Sequence, residues 1–338
     1  MGRYWAAARP VFFALPPEGA HRLAHALLGL PLPWARIGGV EADPRLATTV
    51  SGIALANPIG LAAGFDKTGA HLDALGLLGF GYVVGGTFTR AARRGNPKPR
   101  IARYRERASM VNAMGLPNPG AEAAASTLAR MPRTSARLAS IADEAVDDAV
   151  AAHALLEPQV DAVELNASCP NVSWGRDRDN EAHLSALLGE LVARRRKPIF
   201  VKLPPFRTDV ERDVVLALAR IAQEAGADGL TCSNTRPVAD AHLSTGRGGL
   251  SGRALSADTP RIIAEVRATT GAEMPVNACG GVFSAEDALA CLEAGAATVQ
   301  LYTGLVFRGP RVVAEIARGL GAALRDGSTL DLPRPAEP

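Results

Sequence analysis

From about residue 48 onward, short apolar runs alternate with longer stretches rich in Ala and Leu. Continuous apolar runs are typical of parallel strands buried on both faces, and the stretches between them predict helices. The strand candidates lie at 59–63, 81–85, 137–141, 160–165, 198–203, 229–232, 275–278 and 298–302. Eight such units over this length predict an α/β fold of the (β/α)8 class, a TIM barrel.

The first forty residues follow a different pattern, in which apolar positions alternate with arginines and Pro16–Pro17 interrupts the segment. This pattern predicts two short helices, over about 4–14 and 17–29, each with an apolar face. Two interpretations stay open: the helices pack on the main domain, or they lie on a membrane surface. We therefore divide the chain into a helical pair over 1–40, a barrel over 41–326 and a Pro-rich tail over 327–338 that we expect to fray.

Three further segments interrupt the alternation of strands and helices. Residues 49–56 predict a short hairpin that closes the bottom of the barrel, whereas 89–120 and 235–256 predict long loops. Both loops follow predicted strands, which places them at the carboxyl-terminal face of the barrel. Active sites of this fold lie at that face.

The composition excludes several classes of protein. Hydrophobic residues make up 47% of the 338 residues and charged residues 21%, which allows a large core and excludes global disorder. The net charge of +3 gives no case for nucleic-acid binding. The four cysteines have no CxxC spacing, so we expect neither disulfides nor a metal site. We also expect no membrane span and no secretory signal, and we predict a cytoplasmic protein.

Polar residues and glycines gather where the predicted strands end, at the functional face of a barrel. Ser233-Asn234-Thr235 follows the sixth strand, Cys279-Gly280-Gly281 the seventh and Tyr302-Thr303-Gly304 the eighth. Backbone N–H groups in glycine turns approach an anion closely, and the last two units of a barrel commonly hold a phosphate. The sequence therefore predicts a phosphorylated ligand.

Two lysines and one cysteine carry the candidate chemistry. Lys67 and Lys202 both lie at strand ends, where an ammonium group needs a partner or a ligand anion. One such lysine fits a Schiff-base aldolase, whereas two beside many amides fit a cation site for a delocalised anion such as a reduced flavin. Cys169 follows the fourth strand, and its thiol is either a buried packing group or a general base.

Five stretches of the sequence together resemble the dihydroorotate dehydrogenase family. The resemblance covers about residues 4–318, and the order of several independent motifs makes it specific. The stretches are NPIGLAAGFDK at 57–67, GNPKPR at 95–100, NASCPN at 166–171, GGLSGR at 248–253 and GLVFRGP at 304–310.

The resemblance implies an FMN enzyme that oxidises dihydroorotate in pyrimidine biosynthesis. Cys169 matches the base that removes the C5 proton, and Lys67 matches a lysine that contacts both flavin and substrate. The residues that match the substrate-binding set are Lys67, Asn112, Gly115, Leu116, Asn166, Asn171, Asn234 and Thr235. The residues that match the FMN-binding set are Ala63, Gly64, Lys67, Thr87, Ser140, Asn166, Lys202, Ser233, Gly252, Gly280, Gly281, Tyr302 and Thr303.

The N-terminal segment bears on the electron acceptor. Pro16, Glu18, Ala20 and His21 resemble the quinone-dependent, membrane-associated class of the family, and Arg100 matches an arginine of its quinone tunnel. A cysteine base instead marks the cytosolic class. We give the N-terminal segment more weight, because it builds a whole site whereas the base differs by one atom. We therefore predict a quinone site at His21 and Arg100, with peripheral contact of the helices with the inner face of the cell membrane.

The chain departs from the family pattern near the substrate. The stretch 112–118, NAMGLPN, lacks an amide and an aromatic residue of the family stretch, and 140–144 and 236–237 also differ. Two alternatives stay open beside dihydroorotate oxidation. One is a paralogue acting on a different cyclic or pyrimidine-like substrate, and the other is a flavin-binding protein without turnover.

Overall fold

A computed structural model of the chain describes residues 3–142, 145–167 and 180–325. Its strands are β1 (Thr48–Val50), β2 (Ile53–Leu55), β3 (Ile59–Leu61), β4 (Tyr82–Phe88), β5 (Ile101–Tyr104), β6 (Ser109–Asn112), β7 (Ala136–Ile141), β8 (Ala162–Asn166), β9 (Ile199–Leu203), β10 (Gly229–Cys232), β11 (Arg236–Ala239), β12 (Arg247–Gly252), β13 (Val276–Cys279) and β14 (Thr298–Leu301). Its helices are α1 (Arg3–Ala14), α2 (Pro17–Leu28), α3 (Trp34–Gly38), α4 (Leu72–Leu77), α5 (Ala121–Arg130), α6 (Val146–Leu156), α7 (Asn180–Arg194), α8 (Asp209–Glu224), α9 (Asp258–Thr270), α10 (Ala285–Glu293), α11 (Thr303–Arg308) and α12 (Val312–Arg325).

Parallel strands close a barrel in the order β3-β4-β7-β8-β9-β10-β13-β14. Val299 opposite Ile59 joins the last strand to the first and completes the ring. These are the eight strands that the apolar runs predict, and each is followed by a helix. The prediction of a TIM barrel is therefore confirmed.

Two helices on the carboxyl-terminal side of the barrel begin with reciprocal caps. At the start of α10, Ser284 Oγ accepts a hydrogen bond from Asp287 N, and Asp287 accepts one from Ser284 N. Thr208 and Glu211 form the same arrangement before α8. Such caps satisfy N–H groups that have no partner within the helix, and they fix the turns that lead out of β9 and β13.

The predicted hairpin at the bottom of the barrel is confirmed as β1 and β2, which pair antiparallel. Val50 and Leu55 pack against Tyr82, Leu138 and Phe200, which belong to barrel strands. The hairpin therefore covers the end of the barrel that faces away from the predicted site.

The prediction of two long loops is wrong, because each of these segments contains a pair of strands. β5 and β6 lie within 89–120, β11 and β12 lie within 235–256, and together they form an antiparallel sheet in the order β11-β12-β6-β5, here called the cap sheet. Its central pairing places Leu250 opposite Val111. The segments are short and rich in Arg and Gly, and their partners lie far away in sequence, so no local pattern announces them.

The two N-terminal helices are confirmed and pack on the barrel domain. Phe13 of α1 is buried among Met110 of the cap sheet, Phe283 and Phe307. Other apolar side chains of the segment face outward: Val11 is 59% exposed. The boundary at residue 40 stays an interpretation, and the predicted tail over 327–338 lies outside the described residues. None of the helices in the described ranges has the length and apolar content that crossing a bilayer requires.

Candidate functional site

A cleft opens at the carboxyl ends of the barrel strands, between these ends and the cap sheet. Its empty volume is about 1230 Å³, including the part that is open to solvent. Predicted site residues that line it are Ala63, Gly64, Lys67, Thr87, Asn112, Gly115, Leu116, Asn166, Lys202, Ser233, Asn234, Thr235, Gly252, Gly280, Gly281, Tyr302 and Thr303. Most of them come from the ends of barrel strands, since every parallel strand delivers its last residues to the same rim. Asn112, Gly115, Leu116 and Gly252 come from the cap sheet and the loop after β6.

A chain of polar side chains crosses the floor of the cleft. Asn234 Nδ2 lies 3.3 Å from Asn166 Oδ1, and Asn166 Nδ2 lies 3.3 Å from Thr87 Oγ1. Ser140 is fully buried and does not line the cleft, but its hydroxyl lies 2.9 Å from that of Thr87. Ser140, predicted to contact the cofactor, thus lies behind Thr87 and orients it. These side chains supply both donors and acceptors to a planar polar ligand.

Lys202 is held in the barrel beside a carboxylate that our sequence reasoning missed. Its Nζ lies 3.7 Å from Glu164 Oε1, and both side chains are almost completely buried. Thr231 donates a hydrogen bond of 2.9 Å to the other oxygen of Glu164. Burial lowers the pKa of Lys202, but the neighbouring Cys279 and Glu164 outweigh it and raise that pKa overall. Its surroundings therefore favour the charged form of Lys202 at the base of the cleft.

Lys67 lies on the opposite side of the cleft and is in a different electrostatic state. Its Nζ donates a hydrogen bond to the carbonyl oxygen of Gly64. Burial lowers the pKa of Lys67 to about 8, against the opposing influence of Asp66. Lys67 therefore carries its charge at neutral pH but loses it in mildly alkaline solution.

A side-chain-free hollow lies where β13 ends. Gly280 and Gly281 have φ values of +135° and +72°, and Gly252 across the hollow has +97°. A Cβ on Gly281 would collide with the backbone nitrogen of Ser256. Thr303 donates a hydrogen bond of 2.9 Å to Ser251 at the edge of this hollow. Glycine at position 281 is therefore required by the turn, which lines the cleft.

His21 and Arg100, the predicted quinone residues, lie behind the wall of the cleft. The ring of His21 contacts Phe65 at 5.7 Å, and Phe65 contacts Tyr302, which lines the cleft. Arg100 Nε donates a hydrogen bond of 3.1 Å to Glu18 of α2. Burial, assisted by Lys67, lowers the pKa of His21 to about 2, so its imidazole is neutral.

Cys169 and Asn171, predicted as base and substrate ligand, lie outside the described residues. Strand β8 ends at Asn166, three positions before Cys169 in the chain. Their roles stay predictions. Among the described residues, no group of three or more His, Cys, Asp and Glu side chains is arranged to hold a metal ion.

Comparison with known proteins decides the family. The family model described as dihydroorotate dehydrogenase matches residues 45–324, which is most of the chain. This chain belongs to the dihydroorotate dehydrogenase family. The membership sets aside the aldolase interpretation of the two lysines.

Similar proteins extend the match over nearly the whole chain. A dihydroorotate dehydrogenase (quinone) of Paracidovorax citrulli is 34% identical, over 98% of this chain and 99% of that protein. A protein of the same name from Leptothrix cholodnii is 36% identical, over 92% and 97%. Among solved structures, DHODH of Eimeria tenella in complex with ferulenol has a TM-score of 0.82 and 27% identity, covering 95% of this chain and 96% of that one.

The dihydroorotate dehydrogenase family is FMN-dependent, and the residues of this chain fit that group. Gly280 and Gly281 line the cleft, and at Gly281 a Cβ would collide with the backbone of Ser256, so a larger residue would distort this turn. Lys202 supplies a charge at the base of the cleft, and Glu164 Oε1 behind it is buried without a hydrogen bond. The glycine hollow fits the phosphate of FMN, the Lys202 cation fits its reducible ring, and the amide side chains of the floor fit the polar edge of that ring.

The stretch 112–118, whose sequence departs from the family pattern, forms part of the rim of the cleft. Met114, Leu116 and Pro117 give the cleft an apolar lip. Leu116 has a φ of +53°, an unusual conformation for a residue with a side chain. Asn118 does not line the cleft but donates a hydrogen bond of 2.8 Å to Thr89. Asn112 is therefore the polar side chain with which this stretch lines the cleft.

Some residues of this region could have been found from sequence and others could not. Glu164 is a charge inside an otherwise apolar strand, and a buried charge signals a specific partner. His25 lies four residues after His21, so both face the same side of α2. Phe65 gave no such signal, because its role depends on contacts with α2 and Tyr302.

Proposed function

We propose that this chain oxidises dihydroorotate to orotate with bound FMN and passes the electrons to a quinone. The cleft supports this most directly, because it combines the Asn166–Asn234 amide pair with two lysines of different pKa. Amides recognise the ring of the substrate, and Lys67 attracts its carboxylate. The curated relatives are named as quinone-dependent enzymes of this type.

The residues that would hold FMN lie on the last barrel units and on the floor. The glycine hollow at Gly280, Gly281 and Gly252 would take the phosphate, and Lys202 would face the ring where negative charge develops on reduction. Thr87 and Asn166 would contact the ring edge. When bound, FMN supplies the acceptor for a hydride and passes electrons on to a second substrate.

The oxidation removes a hydride from C6 of dihydroorotate and a proton from C5. We assign the proton to Cys169, because a thiolate is a competent general base. Asn112, Asn234 and Lys67 would hold the substrate in place during this step. An apolar lip at Leu116 favours exclusion of water from the reacting face.

The acceptor site would lie beneath the N-terminal helices. We assign the quinone to the region of His21 and Arg100, which Phe65 and Tyr302 separate from the cleft. Val11 and Leu30 are exposed apolar side chains on this segment, at 59% and 48%. They would contact the membrane surface from which a lipid-soluble quinone enters.

One observation favours a second candidate, a paralogue with a different cyclic substrate. The lip formed by Met114, Leu116 and Pro117 is apolar at a place where the family stretch carries an amide and an aromatic residue. Such a lip would accept a less polar ring than dihydroorotate. No comparable observation favours a flavin-binding protein without turnover.

The test is a substrate survey under anaerobic conditions. The purified protein is expected to show a flavin spectrum, and dihydroorotate is expected to bleach it faster than dihydrouracil, dihydrothymine or hydantoin. A flavin band that one of the other rings bleaches faster would establish the paralogue instead. A protein that takes up no added FMN would contradict both candidates.

A further inference from the structure

Three histidines form a row from the wall of the cleft toward the protein surface. The rings of His21 and His25 on α2 are 4.3 Å apart, and the ring of His71, just before α4, is 5.0 Å from that of His25. His71 lies beside Gly29, where α2 ends. At its inner end the row contacts Phe65, with the His21 ring 5.7 Å away. The imidazoles thus connect the predicted quinone region with the outer end of α2.

The hydrogen bond of His25 fixes which of its nitrogens can take up a proton. His25 Nε2 lies 2.9 Å from the carbonyl oxygen of Phe65. A carbonyl oxygen only accepts, so Nε2 carries the proton, and Nδ1 is the free acceptor of the neutral ring. The carbonyl of Phe65 and the carboxylate of Asp66 both favour the charged ring that exists while a proton passes. Burial opposes them and lowers the pKa of His25 overall, so the ring does not keep the proton.

The charged groups around the row belong to three elements. Asp66 and Lys67 lie in the loop after β3, Glu18 lies on α2, and Arg100 precedes β5. Asp66 accepts hydrogen bonds from the turn that follows it, including one of 2.7 Å from His71 N. Glu18 is paired with Arg100 at 3.1 Å. These carboxylates therefore have their own partners, and Lys67 donates its hydrogen bond to the carbonyl of Gly64. The imidazoles are the groups in this row that contact one another.

We propose that His71 and His25 relay protons from solvent to a quinone bound beside His21. The inference rests on the proposed quinone acceptor. Conversion of a quinone to a hydroquinone takes two electrons and two protons; the electrons and one proton leave the reduced flavin. The other proton comes from solvent, through His71 to Nδ1 of His25. Because Nε2 is held by the carbonyl of Phe65, the same Nδ1 then turns toward His21 and releases the proton, and His21 passes it to the quinone oxygen. Ring rotations span the centroid distances of 5.0 and 4.3 Å, and their reversal returns all three rings to their starting state.

The test separates the two half-reactions of the FMN-loaded enzyme by anaerobic stopped flow. In His25→Gln the amide nitrogen takes the place of Nε2 and can still donate to the carbonyl of Phe65, but it carries no proton onward. We expect reoxidation by a short-chain ubiquinone to slow about tenfold, with an unchanged dependence on quinone concentration. Bleaching by dihydroorotate and reoxidation by ferricyanide, which takes electrons without protons, should keep their wild-type rates. Free imidazole should restore the quinone rate, which it would not do for a structural defect.

The control is His242→Ala, which removes an exposed imidazole from the turn between β11 and β12 and should change no rate. His71→Gln should reproduce the effect of His25→Gln from the other end of the row. Quinone reoxidation at the wild-type rate in both variants would overturn the relay, as would an equal loss with ferricyanide. A wild-type enzyme that dihydroorotate bleaches but no quinone reoxidises would overturn the acceptor proposal itself, and the relay with it.

Discussion

The two sides of the cleft are built in different ways. The cofactor side consists of barrel elements: the turn at Gly280–Gly281 and the Lys202–Glu164 pair inside the strands. The side to which we assign the quinone, here called the acceptor side, consists of α2, the cap sheet and the loop after β3, held by the Glu18–Arg100 ion pair and aromatic contacts. Backbone turns fixed by the barrel tolerate little change, whereas side-chain contacts between added segments can change without disturbing the barrel. The comparison explains how one chain combines a family barrel with an altered substrate lip.

The largest expected effect comes from breaking the cofactor side at its backbone. In Gly281→Ala the new Cβ meets the backbone nitrogen of Ser256, which cannot move aside as a flexible side chain would. We expect FMN to bind about 100-fold more weakly, about 3 kcal/mol, measured by titration of the apoprotein.

Gly271→Ala is the matched control for that variant. Gly271 has a similar φ of +77°, but open space surrounds its Cβ position. Gly271→Ala therefore also places a side chain at a positive φ but without the collision, and its FMN affinity should stay at the wild-type value. Equal losses in the two variants would mean that strain alone, and not the hollow, determines binding.

The next largest effect is expected from a change in the buried Lys202–Glu164 pair. Glu164→Gln keeps the volume and the Thr231 contact but removes the counter-charge of Lys202. The pKa of Lys202 should fall, and FMN affinity should drop about twentyfold. Glu190→Gln on the exposed face of α7 is the control, because its partner Arg194 is also exposed. An unchanged FMN affinity in Glu164→Gln would show that Lys202 needs no buried partner.

The pH dependence of orotate binding tests Lys67, which lies between the two sides. Because burial lowers its pKa to about 8, the ammonium is present below that pH and lost above it. Orotate affinity should be constant below pH 8 and fall up to tenfold per pH unit above it. The affinity is measured from the change that bound orotate causes in the flavin spectrum. Lys67→Met should bind orotate weakly with no such break. A wild-type curve that is flat to pH 10 would contradict the lowered pKa.

The smallest effect should come from the lip. Leu116→Asn places a residue that tolerates a φ of +53° and restores an amide to the rim. We expect KM for dihydroorotate to fall about threefold with kcat unchanged, because the contact is made equally in ground and transition states. Met114→Leu, which keeps the lip apolar, should leave KM as it is. A rise in KM for Leu116→Asn would favour the paralogue.

The difference between the cofactor side and the acceptor side also determines which features could be predicted from the sequence. The barrel strands carry continuous apolar runs that are local signals, and every one of them was found, together with the glycine turn of β13. The cap sheet was missed because β6 pairs with β12, and such distant partners leave no trace in either segment alone. The row from His21 to His71 was missed for the same reason, since it needs α2 to pack on the loop after β3. The role of Cys169 as the base is predicted from the family motif, and the residue lies outside the described residues.

The most direct test of the account follows electrons through both sides in one experiment. The FMN-loaded enzyme is mixed anaerobically with one equivalent of dihydroorotate and then, after bleaching, with a short-chain ubiquinone, fumarate or NAD. The account predicts complete bleaching followed by reoxidation that is much faster with the quinone than with the other two acceptors. Bleaching followed by faster reoxidation with fumarate or NAD would contradict the assignment of the acceptor side to a quinone.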